Sequence, residues 1–147
     1  MALNLVMLGP PGAGKGTQAI RLAKSRGVPH ISTGEILREA VQANTDLGRK
    51  AKTVIESGQL VGDESMIGIV DDRLGKDDAR NGFLLDGFPR TVSQADALDD
   101  ILKGRQPLVV IDLSVTDDEL VRRLSTRRMC ESFGTETGSH TRHIYTT

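Results

Sequence analysis

The sequence predicts an α/β fold: a parallel sheet with helices packed on both faces. Three observations predict it. Short apolar runs alternate with segments of helical periodicity along most of the chain, the pattern of successive strand–helix crossovers. The first run ends in a glycine-rich loop that leads into a helical segment. The stretch PLVVIDL, residues 107–113, is β-branched and continuous in the way of a buried parallel strand.

Residues 3–8 form the opening strand and residues 19–24 lie in the helix after the loop. Residues 29–32 read as a second short strand, followed by helical segments at 35–43 and 47–57, the latter closed by Gly58. Asp63 is the expected N-cap of a helix whose Met66, Ile67, Val70 and Leu74 share one face. Residues 83–85 form a third strand, cut off by DGFPRT. Ser93 with Asp96 resembles a capping box for a helix carrying Ala97, Leu98, Ile101 and Leu102. After strand 107–113, Thr116 and Glu119 form a second expected capping box, for a helix running through Leu120 and Leu124 toward Arg128.

Composition bounds the function. At 147 residues the chain is about one domain long. Apolar residues make up 37% and charged residues 27%, an ordinary globular mixture that argues against a disordered chain. No apolar run approaches the ~20 residues that span a bilayer. The start lacks a basic stretch ahead of its apolar residues, so no signal peptide is expected and a cytoplasmic location is. Cys130 is the single cysteine and has no partner for an internal disulfide. A formal charge of −1 excludes binding of nucleic acid by bulk electrostatics, so a phosphate ligand must be held by locally placed groups.

Those groups are found in GPPGAGKGT, residues 9–17. The segment matches the first seven positions of the P-loop pattern GxxxxGK and sits between a predicted strand and a predicted helix. Gly9, Gly12 and Gly14 admit backbone dihedrals that a Cβ forbids, so successive N–H groups of the loop can converge on a phosphate at the positive end of the helix. Lys15 adds a mobile charge for the β and γ phosphates. At the eighth position Gly16 stands where a Ser or Thr would reach Mg²⁺, and Thr17 follows one residue late. Direct metal ligation by the loop is therefore not expected.

Four segments occur in the order found in adenylate kinases: GPPGAGKGT, STGE with Arg38 shortly after, SGQLV, and DGFPRT followed by Gln94. From residue 1 to about 128 the chain resembles that family of P-loop NTPase-type folds. The resemblance implies a core of residues 1–31 and 62–129, a small helical AMP-binding insertion at 32–61, and reversible transfer of a phosphoryl group from ATP to AMP, giving two ADP. By resemblance, the loop residues Gly9 to Thr17 with Arg123 and Arg127 hold ATP. Thr33, Gly34 and Arg38 meet the AMP ribose and phosphate, and Gln59, Leu60 and Val61 cradle its adenine. Gly87 belongs to the AMP site, Arg90 bridges the phosphates of both nucleotides, and Gln94 reads the adenine edge. Lys15, Arg90, Arg123 and Arg127 carry the catalytic charge, and Asp86 holds Mg²⁺ through water. The family pattern implies a constrained Phe88–Pro89 bond whose isomer the sequence leaves open.

Residues 130–147 depart from the family and read as an atypical tail in place of a lid, two further arginines and a final core strand. Such a shortened chain is expected to turn over weakly: losing one preorganised charge donor costs ~3 kcal/mol, about a hundredfold in rate. The family is usually monomeric, but an open apolar sheet edge invites self-association. No zinc is expected, because Phe133 replaces the second cysteine of a Cys-x-x-Cys pair, and Cys130, His140 and His143 fit no standard spacing. The alternatives are a UMP or CMP kinase and a nucleotide-binding module without turnover. A GTPase lacks support, since no NKxD-like segment occurs.

Overall fold

A computed structural model describes residues 2–57, 61–105, 107–126, 128–129 and 136–137. Four strands, β1 Leu3–Leu8, β2 His30–Ser32, β3 Gly82–Asp86 and β4 Leu108–Asp112, form one sheet in the order β2-β3-β1-β4. Every pairing in it is parallel, as crossover helices require. The helices are α1 Lys15–Arg26, α2 Thr33–Gln42, α3 Asp46–Glu56, α4 Asp63–Leu74, α5 Val92–Ile101 and α6 Asp117–Ser125. A second pair, β5 Arg128–Met129 and β6 Glu136–Thr137, is antiparallel.

Alternation along the strands divides the core into two layers. Val6, Ile31, Phe83 and Leu85 pack with Met66, Ile69, Val70 and Leu74 of α4 and Leu98 of α5. Leu5, Met7 and Leu84 face the other way, onto Ala19 and Ala23 of α1. Small residues on α1 let that helix lie close to the sheet, which brings the loop before it over the strand ends. The expected α/β architecture with helices on both faces is the observed one.

Several local expectations are corrected. Helix α1 begins at Lys15, four residues before the predicted segment, because Gly14 already serves as its N-cap with a left-handed φ of 90°. Gly62, not Asp63, caps α4; Asp63 is its first residue and its carboxylate accepts hydrogen bonds from α5 and the residue before it instead. Thr91, not Ser93, caps α5, its hydroxyl accepting from the Gln94 amide. Thr116 does cap α6, but without a side-chain hydrogen bond. The Glu119 carboxylate accepts from Arg122 and Arg123, so the capping box is not formed. Strand β4 is not buried: Val109 and Val110 are 47% and 53% exposed. It lies at one end of the strand order, where only one side of a strand has a partner. The tail's Cys130, His140, Arg142 and His143 lie outside the described residues.

Candidate phosphate-binding site

The site lies at the carboxyl ends of the strands, where parallel α/β sheets place ligands. Between β1 and α1 the loop turns on the Ala13 amide, which donates to the Pro10 carbonyl over 3.2 Å. Gly9, Gly12 and Gly14 all have positive φ, so the turn would be strained with any side chain there. A Cβ on Gly12 would also lie 3.1 Å from Leu124 of α6. Lys15 follows as the first residue of α1, and Thr17 is exposed in its first turn.

Lys15 extends its ammonium group onto Asp86 Oδ1. Asp86, the last residue of β3, is only 5% exposed, and its Oδ2 lies 3.2 Å from Nε2 of His30. Burial pushes the Asp86 carboxyl up, but the hydrogen bonds from His30 and Lys15 outweigh it and hold the group below the usual carboxylate range. A Cβ on Gly16 would stand 3.7 Å from Asp86 Oδ2. The position that carries a hydroxyl in the general P-loop pattern therefore faces this carboxylate directly.

Arg123 approaches the loop from α6. Its Nη1 is 3.4 Å from the carbonyls of both Gly12 and Ala13, and its Nε donates to Glu119 over 2.6 Å. Arg122 and Arg123 together hold the Glu119 carboxyl down to about 2.

A second group surrounds Gly87. Its carbonyl accepts from Thr33 Oγ1 at 3.2 Å and from Arg90 Nε at 2.8 Å. Gly87 has a φ of 86°, and a Cβ there would come within 3.0 Å of Thr33 Oγ1 and 3.1 Å of Arg90 Nη2. The Phe88–Pro89 bond that follows is cis. Gln94 is 4% exposed; its Oε1 accepts from the Arg90 amide at 2.8 Å and its Nε2 donates to Asp63 Oδ1 at 2.7 Å. Thr33 is likewise buried, whereas the Arg90 side chain is exposed. Gly34 and Arg38 line a cavity of about 380 Å³ on α2 with Leu37, Val41 and Gln42. Val61 packs against the α4 and α5 layer of the core. Gln59, Leu60 and Arg127 lie outside the described residues.

The structure thus joins Lys15, Asp86 and Arg123 around one loop, and Thr33, Gly87, Arg90 and Gln94 around the next. Sequence reasoning missed two participants. His30 begins an ordinary-looking strand, and only its place beside the end of β3 gives it a partner. Asp63 reads as a helix cap, and nothing in the sequence links it to Gln94, 31 residues away.

A parallel sheet with this glycine loop, followed by a helix that begins at the lysine, defines a P-loop α/β protein. Comparison with known proteins narrows the class. Residues 7–142 match the family model described as adenylate kinase. The chain is 54% identical over 132 residues to an adenylate kinase of Treponema denticola and 55% identical over 134 residues to one of Bacillus licheniformis, in each case covering 90% of this chain and 62% of the relative. An adenylate kinase of Methanothrix thermoacetophila is 56% identical over 131 residues, covering 88% of this chain and 61% of its own length. The chain belongs to the adenylate kinase family and spans somewhat over three fifths of the length of these relatives.

Proposed function

We propose that the chain binds ATP and AMP and transfers the γ-phosphoryl group between them, giving two ADP reversibly. The observation that carries this reading is the placement of Lys15 on the buried Asp86 at the edge of the loop, with Arg123 on the loop's far side and Arg90 beside Gly87. That arrangement offers two anion-binding regions on adjacent strand ends. In the reaction an oxygen of the AMP phosphate attacks the γ-phosphorus as the bond to the ADP oxygen breaks. The attacking oxygen is already ionised at neutral pH, so no general base is needed. What the protein must supply is in-line placement and positive charge.

On this reading the loop amides and Lys15 hold the donor phosphates, Arg123 flanks them, and Arg38 and Arg90 orient the acceptor phosphate. Arg127 joins the donor side by resemblance, as Gln59 and Leu60 join the adenine side with Val61. Thr33 and Gln94 favour AMP over a pyrimidine monophosphate. Asp86 fits a Mg²⁺ ion of the kind that takes one or two carboxylates, substrate phosphates and water. It is a single ionised carboxylate beside the loop, and the lack of a side chain on Gly16 leaves space next to its Oδ2. When bound, the ion would neutralise charge on the phosphates.

The test is ADP formation from ATP and AMP in a coupled assay, alongside calorimetric titration with each nucleotide. Saturable binding and ADP production, both lost on Lys15→Met, are expected. Saturable binding without ADP above background would make the chain a binding module rather than an enzyme. Unchanged behaviour of Lys15→Met would overturn the reading altogether.

A further inference from the structure

The Gln94 side chain is held in one orientation of its amide by two partners of opposite kind. The Arg90 amide can only donate, so it must face Oε1; the distance is 2.8 Å. The Asp63 carboxylate can only accept, so it must face Nε2; the distance is 2.7 Å. Its other oxygen accepts from the Thr91 hydroxyl at 2.8 Å, and that hydroxyl in turn accepts from the Gln94 backbone amide at 3.2 Å. Asp63 is therefore tied to both ends of the same residue. It stands on the first turn of α4, outside the motifs that carry the resemblance.

We propose that Asp63 is a specificity-determining positioning residue, which fixes the Gln94 amide so that it accepts an amino-purine and rejects a 6-oxo-purine monophosphate. This inference rests on the reading of Gln94 as the group that meets the base. Each amide atom of Gln94 has one further hydrogen-bonding position beyond those already used. The locked orientation offers a donor from Nε2 to N1 of adenine and an acceptor at Oε1 for its 6-amino group. A 6-oxo-purine presents the opposite pattern, with N1–H as donor and O6 as acceptor. To read it the amide must flip, which sets Nε2 against the Arg90 N–H and Oε1 against the Asp63 carboxylate. Both contacts are then repulsive, and a buried polar group left in that state is costly. Discrimination by unpaired polar groups is the stronger kind available to a binding site.

The experiment compares AMP with inosine monophosphate, by calorimetric affinity and by kcat/KM, in the wild type and in Asp63→Ala and Asp63→Asn. Asp63→Ala removes one of the two clashes, so the preference for AMP should fall roughly tenfold, with circular dichroism confirming the fold. Asp63→Asn should lower the preference as well, because its amide can turn to donate to the Oε1 of a flipped Gln94 while its carbonyl still accepts from the Thr91 hydroxyl. If the alanine variant does not fold, Asp63→Ser, too short to reach Gln94, serves in its place with the same expected loss. A purely structural role would weaken both nucleotides equally and leave the ratio unchanged, which would overturn the proposal while the phosphoryl-transfer reading stood. Failure of the wild type to bind AMP at all would instead defeat that reading and this inference together.

Discussion

Strands β3 and β4 are nearly the same in sequence character, GFLLD and LVVID, and each ends in aspartate. Their fates differ. All five residues of β3 are buried and it lies between β2 and β1, while β4 has a single strand neighbour among the described residues and exposes Val109 and Val110. At their ends, Asp86 is sealed against Lys15 and His30, and Asp112 is exposed. Hydrophobicity thus selects the strand, but its neighbours decide whether the strand is core, and whether its terminal carboxylate is solvated or built into a site.

Matched truncations should separate the two strands most strongly. Phe83→Ala removes a fully buried ring and should cost about 3–5 kcal/mol of unfolding free energy. Val110→Ala should stay within about 0.5 kcal/mol, since that side chain is already half in water. Equal losses in urea denaturation would erase the distinction.

The terminal carboxylates should differ by less. Asp86→Ala leaves Lys15 and His30 without their acceptor and should cost about 1–3 kcal/mol, against about 0.5 kcal/mol or less for Asp112→Ala. Because the folded Asp86 carboxyl is held below its ordinary value of 3.8, it stabilises the fold above that pH, and this contribution is lost as pH falls further, through the lowered folded value. Asp86→Asn should therefore flatten the acid limb of the stability profile below about pH 4. An unchanged limb would place the proton uptake elsewhere.

The exposed side should also be detectable in association. The outer edge of β4, unpaired among the described residues and with Val109 and Val110 exposed, is expected to bring copies of the chain together as concentration rises, and Val110→Lys should reduce this. A strictly monomeric light-scattering profile for the unaltered chain would contradict it. The smallest effect belongs to Glu119. NMR titration should find its carboxyl at about 2 and rising toward 4.5 when Arg122 and Arg123 are both replaced by Ala, with little change in stability because the cluster is exposed.

Much of the fold was legible because the evidence for it is local. The loop at 9–17, the four sheet strands and the alternation with helices follow from glycine placement and apolar periodicity, and each recurs in the structure within a few residues. Helix starts were less legible. Ser and Thr crowd the start of α5, and spacing alone does not say that the Thr91 hydroxyl, not that of Ser93, accepts from a first-turn amide. The exposure of β4 could not be read from LVVID, since it depends on the number of strands beside it. In the candidate site, the loop, Asp86 and Arg90 stand out as motif residues. His30 and Asp63 do not, because each gains its partner through tertiary packing across 56 and 31 residues of chain.

The contact between Lys15 and Asp86 makes the loop's mobile cation already neutralised at rest. On the proposed function, a phosphate arriving there would enter by exchange, displacing a carboxylate that is itself anchored by His30, and would not simply settle on a vacant charge. An anion with a single weak charge gains too little from the loop amides to win that exchange. Polyanions would gain far more, so under the proposed function the resting pair would act as a threshold that favours chains of phosphates over chloride or free carboxylates.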